Sequence, residues 1–161
     1  MVELENPVES PCFGCGPAHP RGLRLRFEPA VGEDGVAEVR TRFTPKPDEV
    51  GWPTVFHHGL HFMVLTEVSY WAALALTGKV WVMAGAATYS AERLPRVGVD
   101  HVARARIVDR GVDRLVVRAT TASAAGKPCG SLEAPWRPAS RAAAERAQIP
   151  LPEYLFSDMG P

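Results

Sequence analysis

Two patterns of apolar and polar residues follow each other along this chain. Residues 23–27 alternate strictly between apolar and basic side chains, which is typical of a strand with one buried face. Residues 32–35 then supply a turn that begins and ends with Gly, and residues 36–43 keep a similar, less strict rhythm. Together these segments predict an antiparallel β-hairpin.

Residues 60–77 are apolar almost all round and contain neither Pro nor Gly. Gly78 follows directly, as expected for a residue that ends a helix. A helix with apolar residues on every side must be buried, either inside a protein or in a bilayer. We favour burial inside the protein and predict no membrane association, because His61 and Glu67 lie within the run and no Lys or Arg cluster flanks it.

The strand-like pattern returns after this helix and predicts an α+β fold. One curved antiparallel sheet wrapped around one long buried α-helix satisfies the order of two strands, one helix and several strands. The later predicted strands are residues 80–91, 97–108, 114–122 and, as a short last strand, 129–136. We divide the chain into a Cys-, Gly- and Pro-rich N-terminal cap (1–22), a main domain (23–138), and a short helix (139–148) with a tail (139–161 in all).

The composition leaves the predicted fold unchanged and mainly excludes classes of function. The 161 residues suffice for one domain with a hydrophobic core, and 46% of them are apolar. Eighteen basic residues balance eighteen acidic ones, so nothing favours a sequence-independent nucleic-acid binder or a protein that binds anionic membranes. The first ten residues carry three Glu and no apolar signal segment, from which we expect a cytoplasmic protein.

Several short motifs occur in a fixed order around the predicted helix. They are Cys12-Phe13-Gly14-Cys15-Gly16-Pro17, Pro20-Arg21-Gly22-Leu23, Gly51-Trp52-Pro53, His57-His58-Gly59, Thr88-Tyr89 and Leu94-Pro95-Arg96-Val97-Gly98. In these motifs the chain resembles the hotdog-fold thioesterase superfamily, over about residues 12–130. The resemblance implies a hotdog fold, a homodimer or a dimer of dimers, and action on acyl-CoA thioesters without a cofactor.

The family usually has His-Gly-Gly at the helix entrance and an acid nine residues after that His. Counting from His57 reaches Thr66, whereas counting from His58 reaches Glu67. We prefer the second count, in which Leu60 replaces the second Gly. The resemblance then implies that Glu67 is the catalytic acid.

The residues themselves also single out Glu67, the one formally charged side chain in the apolar run. A buried carboxylate has a raised pKa and is a candidate general base or nucleophile. Backbone N–H groups near Gly59 and Leu60, at the helix start, would stabilise an oxyanion. The alternative is that Glu67 pairs with an Arg or His across a subunit interface and fixes the dimer register.

The remaining candidates surround the helix entrance. We assign His58 to the catalytic set, because it would orient the thioester. The candidate substrate-binding residues are His57, Leu60, Trp52 and Thr66.

Two sets of residues suggest a metal, and we predict none. His57, His58 and His61 cluster at the helix entrance in the sequence, but no third ligand is implied close to His58 and His61. The Cys12-x-x-Cys15 pair would need two further zinc ligands, His19 and Cys129, from opposite ends of the domain. We interpret it as a tight Gly-rich turn with small apolar side chains packed beneath it.

The predicted function is therefore hydrolysis of acyl-CoA thioesters. Two alternatives remain: a hotdog domain that binds acyl-CoA or a similar ligand without turnover, and a dehydratase or hydratase acting on acyl thioesters. The last resembles a different pattern, with Glu five residues after a helix-start Gly, whereas Glu67 follows Gly59 by eight.

Overall fold

The computed structural model describes Leu4, Asn6, residues 9–148 and Leu155. In this part of the chain seven strands form one antiparallel sheet. The sheet strands are β1 (Glu28–Val31), β2 (Ala37–Phe43), β5 (Trp81–Met83), β6 (Thr88–Ala91), β7 (His101–Arg110), β8 (Leu115–Ser123) and β9 (Pro128–Pro138). Their order in the sheet is β1-β2-β7-β8-β9-β5, and β6 also pairs with β9.

The long helix α1 (His58–Thr77) packs on the concave side of this sheet, chiefly against β7, β8 and β2. Its C-terminal half carries the buried small residues Ala72, Ala73 and Ala75, which allow the helix to approach the strands closely. Gly78 ends the helix in a left-handed conformation, φ 70°, and donates its amide hydrogen to the Leu74 carbonyl. The predicted buried helix is thus confirmed, beginning two residues earlier than expected.

The α+β architecture, a curved antiparallel sheet around one buried helix, is likewise confirmed. In β8 alternate residues are buried, namely Leu115, Val117, Ala119 and Thr121. This is the period of two that the sequence shows. By length and composition α1 could cross a bilayer, but it is the core helix of this sheet.

The first predicted strand was wrong in its position. Leu25 and Phe27 are buried between exposed Arg residues, as the alternation predicts, yet residues 23–27 lie outside the sheet. Arg24 has a positive φ of 53°, which breaks an extended strand. The hairpin itself is confirmed, but it is made by β1 and β2.

Several other boundaries also differ from the prediction. The predicted strand 80–91 is two strands, β5 and β6, interrupted around Gly85 with a φ of 105°. The strand predicted over 97–108 starts only at His101, because Gly98 has a φ of 73°. The expected short last strand is β9, which has eleven residues.

Two small elements complete the description. The predicted loop before α1 contains a two-stranded ribbon, β3 (Val50–Trp52) and β4 (Val55–Phe56). The predicted helix 139–148 is the shorter α2 (Arg141–Arg146), capped by the Ser140 hydroxyl. The predicted tail lies outside the described residues except for Leu155, which is buried and accepts a hydrogen bond from the Val80 amide.

Candidate active site

His57 caps the start of α1 with its side chain. Its Nδ1 accepts a hydrogen bond from the Gly59 amide at 2.9 Å. Its ring stacks on that of His58 with the centroids 5.4 Å apart, and both residues are exposed. A Cβ on Gly59 would lie 3.1 Å from two atoms of the His57 ring, so this cap leaves little room for a side chain there.

The other predicted entrance residues lie nearby. A Cβ on Gly51 would lie 3.5 Å from the Cα of His57, so strand β3 runs beside the cap. Trp52, next in that strand, is 70% exposed. Leu60 is half-buried and packs on the edge of the hydrophobic core. The structure therefore gathers Trp52, His57, His58 and Leu60 around the first turn of α1.

The first turn also decides which backbone donor is available. The Gly59 amide already donates to His57. Within the described part of the chain, the Leu60 amide has no hydrogen-bond acceptor. In the described chain Leu60 N–H is therefore a free donor at the positive end of the helix, as is His58 N–H, and Gly59 N–H joins them only when the His57 ring turns away.

Glu67 is half-buried two turns farther along α1. Burial raises the pKa of its carboxyl group to about 7. Cys12 Sγ lies 3.5 Å from Glu67 Oε1, at hydrogen-bonding distance for sulfur. Among the described residues no Lys or Arg forms an ion pair with this carboxylate.

Thr66 is the residue that the count from His57 reaches in place of an acid. Its side chain bonds within the helix. Its hydroxyl donates to the Phe62 carbonyl at 2.9 Å. This bond lies within the helix, one turn back, and is a common conformation for a helical Thr. Glu67, and not Thr66, contacts the N-terminal loop.

That loop is the Cys12-to-Gly16 segment, which closes on itself through a Gly16 amide bond to the Cys12 carbonyl of 2.8 Å. A Cβ on Gly14 would lie 2.5 Å from Glu67 Cδ, so the loop backbone presses directly on the carboxylate. Residues 23–25 hold the loop in place, since the Leu25 amide donates to the Gly14 carbonyl at 2.9 Å. The predicted turn is present, but the sequence carries no signal for its contact with Glu67, 55 positions away.

The two thiols in this loop differ in environment. The Cys15 thiol and nearby backbone amides donate hydrogen bonds to Cys12 and lower its pKa to about 5. The pKa of Cys15 is raised, first by its hydrogen bond to Cys12 and then by burial. Asn6 Nδ2 donates to Cys15 Sγ at 3.0 Å. Three acidic groups thus share one half-buried site.

His61 does not join the other two histidines at the entrance. It is fully buried against the sheet, where Nδ1 lies 2.9 Å from the Tyr89 hydroxyl and Nε2 lies 2.7 Å from the Thr121 hydroxyl. Burial lowers its pKa to about 4. His61 is therefore a neutral core residue, and the sequence grouping of three entrance histidines was wrong for this one.

We expect acidification from pH 6.5 to 4 to destabilise the protein through His61. The unfolded chain takes up a proton below the ordinary pKa of 6.5, whereas the folded chain does so only at about 4. The free energy of unfolding therefore falls by up to about 3 kcal/mol as the pH falls through this window. Urea unfolding at a series of pH values measures this change in the free energy of unfolding.

The difference between the wild type and His61→Asn isolates this contribution, because Asn does not titrate. His19→Gln, which removes a half-buried histidine from the segment before Gly22, serves as the matched control for loss of a histidine. An identical pH slope in His61→Asn and the wild type would show that His61 is not held neutral.

A cavity of about 450 Å³ opens beside the helix start. Phe56 and Val64 form part of its apolar wall. Its lining also carries both signs of charge, with the basic residues Arg24, Arg42 and Lys46 and the acidic residues Glu49 and Asp100. Neither Glu67 nor the four entrance residues line it. The candidate catalytic groups therefore lie on a surface of the described chain outside this cavity.

The spacing along α1 separates the two halves of the candidate site. Leu60 and Glu67 are seven residues apart, and Gly59 and Glu67 are eight. At 1.5 Å per residue these separations are about 10 and about 12 Å along the helix axis. A carbonyl group in contact with a donor in the first turn therefore lies about 10–12 Å along the helix axis from the backbone of Glu67 of the same chain.

No protein-family profile and no curated protein matches the sequence. Solved structures do match. A thioesterase superfamily protein named RHA08564 superimposes with a TM-score of 0.67 at 20% identity, covering 81% of this chain and 60% of that chain. The fold is the hotdog fold.

Other hotdog-fold structures agree with this assignment. The smu.793 protein of Streptococcus mutans, solved bound to acetyl CoA, has a TM-score of 0.60 at 15% identity and covers 70% of this chain and 87% of that one. The E. coli PaaI protein has a TM-score of 0.59 at 14% identity, with coverages of 69% and 78%. The resemblance to the thioesterase superfamily read from the motifs is confirmed at the level of the hotdog fold.

Proposed function

We propose that this hotdog-fold protein hydrolyses acyl-CoA thioesters to a free acid and CoA. The observation that carries the proposal is one half-buried carboxylate, Glu67, on an otherwise uncharged central helix whose first turn offers a free backbone donor. Two structures with the same fold support the substrate class, namely the thioesterase superfamily protein RHA08564 and the smu.793 protein bound to acetyl CoA.

In the proposed reaction Glu67 acts as a general base. It takes a proton from a water molecule as the water oxygen attacks the thioester carbonyl. The Leu60 amide, joined by that of Gly59 when His57 turns away, stabilises the oxyanion. The tetrahedral intermediate then expels the CoA thiolate, which receives the proton held by Glu67, and the acid is released.

The spacing along α1 favours a site built from two copies of the chain. The donor and the base of one helix are about 10–12 Å apart along its axis, and a donor and a base from two different helices can lie closer to one carbonyl group. We therefore propose a homodimer in which the first turn of one copy faces Glu67 of the other. His58 and Trp52, exposed beside the first turn, would orient the thioester and line its path, with His57 and Leu60.

A second candidate function is binding of acyl-CoA without turnover. Two observations favour it: the Gly59 amide is already occupied by His57, and the Cys12-to-Gly16 loop presses on Glu67. A hydrolase that uses the Gly59 amide and a fully accessible Glu67 needs both contacts relieved. A ligand-binding protein requires neither change.

We also propose a cytoplasmic location. All three cysteines are free thiols, which suits a reducing compartment. The fold has its own core and needs no disulfide.

Thiol release from a panel of acyl-CoAs separates the two functions. The panel contains short, long and aromatic acyl groups, and the protein is kept reduced and metal-free. We expect thiol release that saturates with at least one substrate. Binding measured by calorimetry without thiol release from any member would contradict hydrolysis and support the second candidate.

A further inference from the structure

The loop from Cys12 to Gly16 and the helix residue Glu67 bring three metal-binding groups together. The two sulfur atoms and a carboxylate oxygen all lie within 4.8 Å of one another. Around a tetrahedral zinc ion, bond lengths of about 2.3 Å to sulfur and 2.0–2.2 Å to oxygen put sulfur and oxygen about 3.6 Å apart. The distance between Cys12 Sγ and Glu67 Oε1 is 3.5 Å.

The surroundings of the sulfur atoms suit thiolates. Asn6 Nδ2 donates a hydrogen bond to Cys15 Sγ at 3.0 Å. Donors of this kind orient metal ligands and balance their charge. Within the described chain no Lys or Arg is ion-paired with Glu67, so the carboxylate has no positive partner there.

The loop backbone fixes the position of the three groups. Gly14 permits the contact, because any side chain there would collide with Glu67. Cys15 is buried, whereas Cys12 and Glu67 are half-buried, so one side of the cluster faces solvent. A metal ion held by the three groups keeps its fourth position for water.

We propose that Cys12, Cys15 and Glu67 bind one zinc ion per chain. Two thiolates select zinc over the harder magnesium and calcium ions, and three protein ligands leave one site for solvent. His19 and Cys129, the further ligands considered from the sequence, are not needed. Glu67 takes their place, although it lies in a different part of the sequence.

The proposed zinc site is a second property of the protein, separate from hydrolysis, and zinc binding would affect hydrolysis. A carboxylate bound to zinc is not available as a base, so zinc should inhibit thioester hydrolysis. This second statement rests on the proposed function, whereas zinc binding itself does not.

Cobalt(II) substitution tests the site directly. The reduced, chelator-treated full chain is titrated with Co²⁺, and zinc affinity is measured against a chromophoric chelator. We expect one Co²⁺ per chain, with thiolate-to-cobalt charge-transfer absorption and the intense d–d bands of a tetrahedral complex, displaced by one equivalent of Zn²⁺. Absence of charge-transfer absorption would overturn the proposal.

Single substitutions identify which residues bind the metal ion. Cys12→Ser and Cys15→Ser should each remove most of the charge-transfer absorption, and Cys129→Ser, at a buried thiol elsewhere, should retain it. Glu67→Gln should lower zinc affinity at least as much as loss of an outer-shell partner does, about 10–100-fold. Because Gln is nearly isosteric with Glu, this variant keeps the test decisive if a serine variant fails to fold. Unchanged affinity in Glu67→Gln would refute the three-ligand site.

The cobalt spectra test the metal site and the thiol-release assay tests the proposed function, so either proposal can be rejected without the other. Cobalt bands without hydrolysis in the metal-free protein would leave the site intact and reject the proposed function. Hydrolysis without cobalt bands would reject the metal site alone.

Discussion

Glu67→Gln is expected to lower kcat/KM for thioester hydrolysis by about 10²–10⁴-fold, the usual contribution of a general base. The amide has nearly the size and shape of the carboxyl group and keeps a polar contact with Cys12 Sγ. It cannot take a proton from water at neutral pH, so the attack on the carbonyl loses its base. Thiol release at low substrate concentration, in metal-free protein, measures the loss.

The matched control for this change is Glu28→Gln. Glu28 is exposed on the edge strand β1, so its removal should leave kcat/KM unchanged. The oligomeric state of both variants is measured by sedimentation. If Glu67→Gln separates the subunits, Glu67 fixes the dimer register. If it keeps wild-type turnover, Glu67 is not the base.

Leu60→Pro is expected to lower kcat by about 10²–10³-fold, the loss typical of removing one oxyanion donor. Pro has no backbone N–H but fits the first turn of a helix, where that group has no partner in the helix. Leu60→Ala is the matched control, because it removes the half-buried side chain and retains the amide. Equal kcat values in these two variants would exclude the Leu60 amide as the donor.

Mixing the two inactive proteins tests the shared site. In a mixed dimer, the first turn of the Glu67→Gln subunit faces the intact Glu67 of the Leu60→Pro subunit. Random reassortment makes half of the dimers mixed, each with one intact site of two, so about a quarter of the wild-type activity should return. If both groups acted within one chain, mixing would restore none.

The central helix could be predicted from the sequence because its signal is local. The run from residue 60 to 77 has no breaker, and Gly78 ends it as predicted. The alternation in β8 is equally local and was predicted within a residue or two. The position of the first strand could not be predicted, because the alternation at residues 23–27 reflects burial and Arg24 prevents pairing.

The candidate site could be predicted only in part, because several of its contacts join residues that are far apart in the sequence. Its charged residue stood out because a carboxylate in an apolar helix is costly. The contact between Cys12 and Glu67 joins positions 55 residues apart and leaves no periodic trace. His61 was misplaced because Tyr89 and Thr121, which satisfy its ring nitrogens, come from strands far along the chain.

The seven- and eight-residue separations along α1 have a consequence for how the protein behaves on dilution. In the proposed dimer the donor and the base come from different copies, so a monomer has no complete site. Specific activity should therefore be constant well above the dissociation constant of the dimer and fall in proportion to protein concentration well below it. The amount of protein in the cell would then set the activity of each molecule.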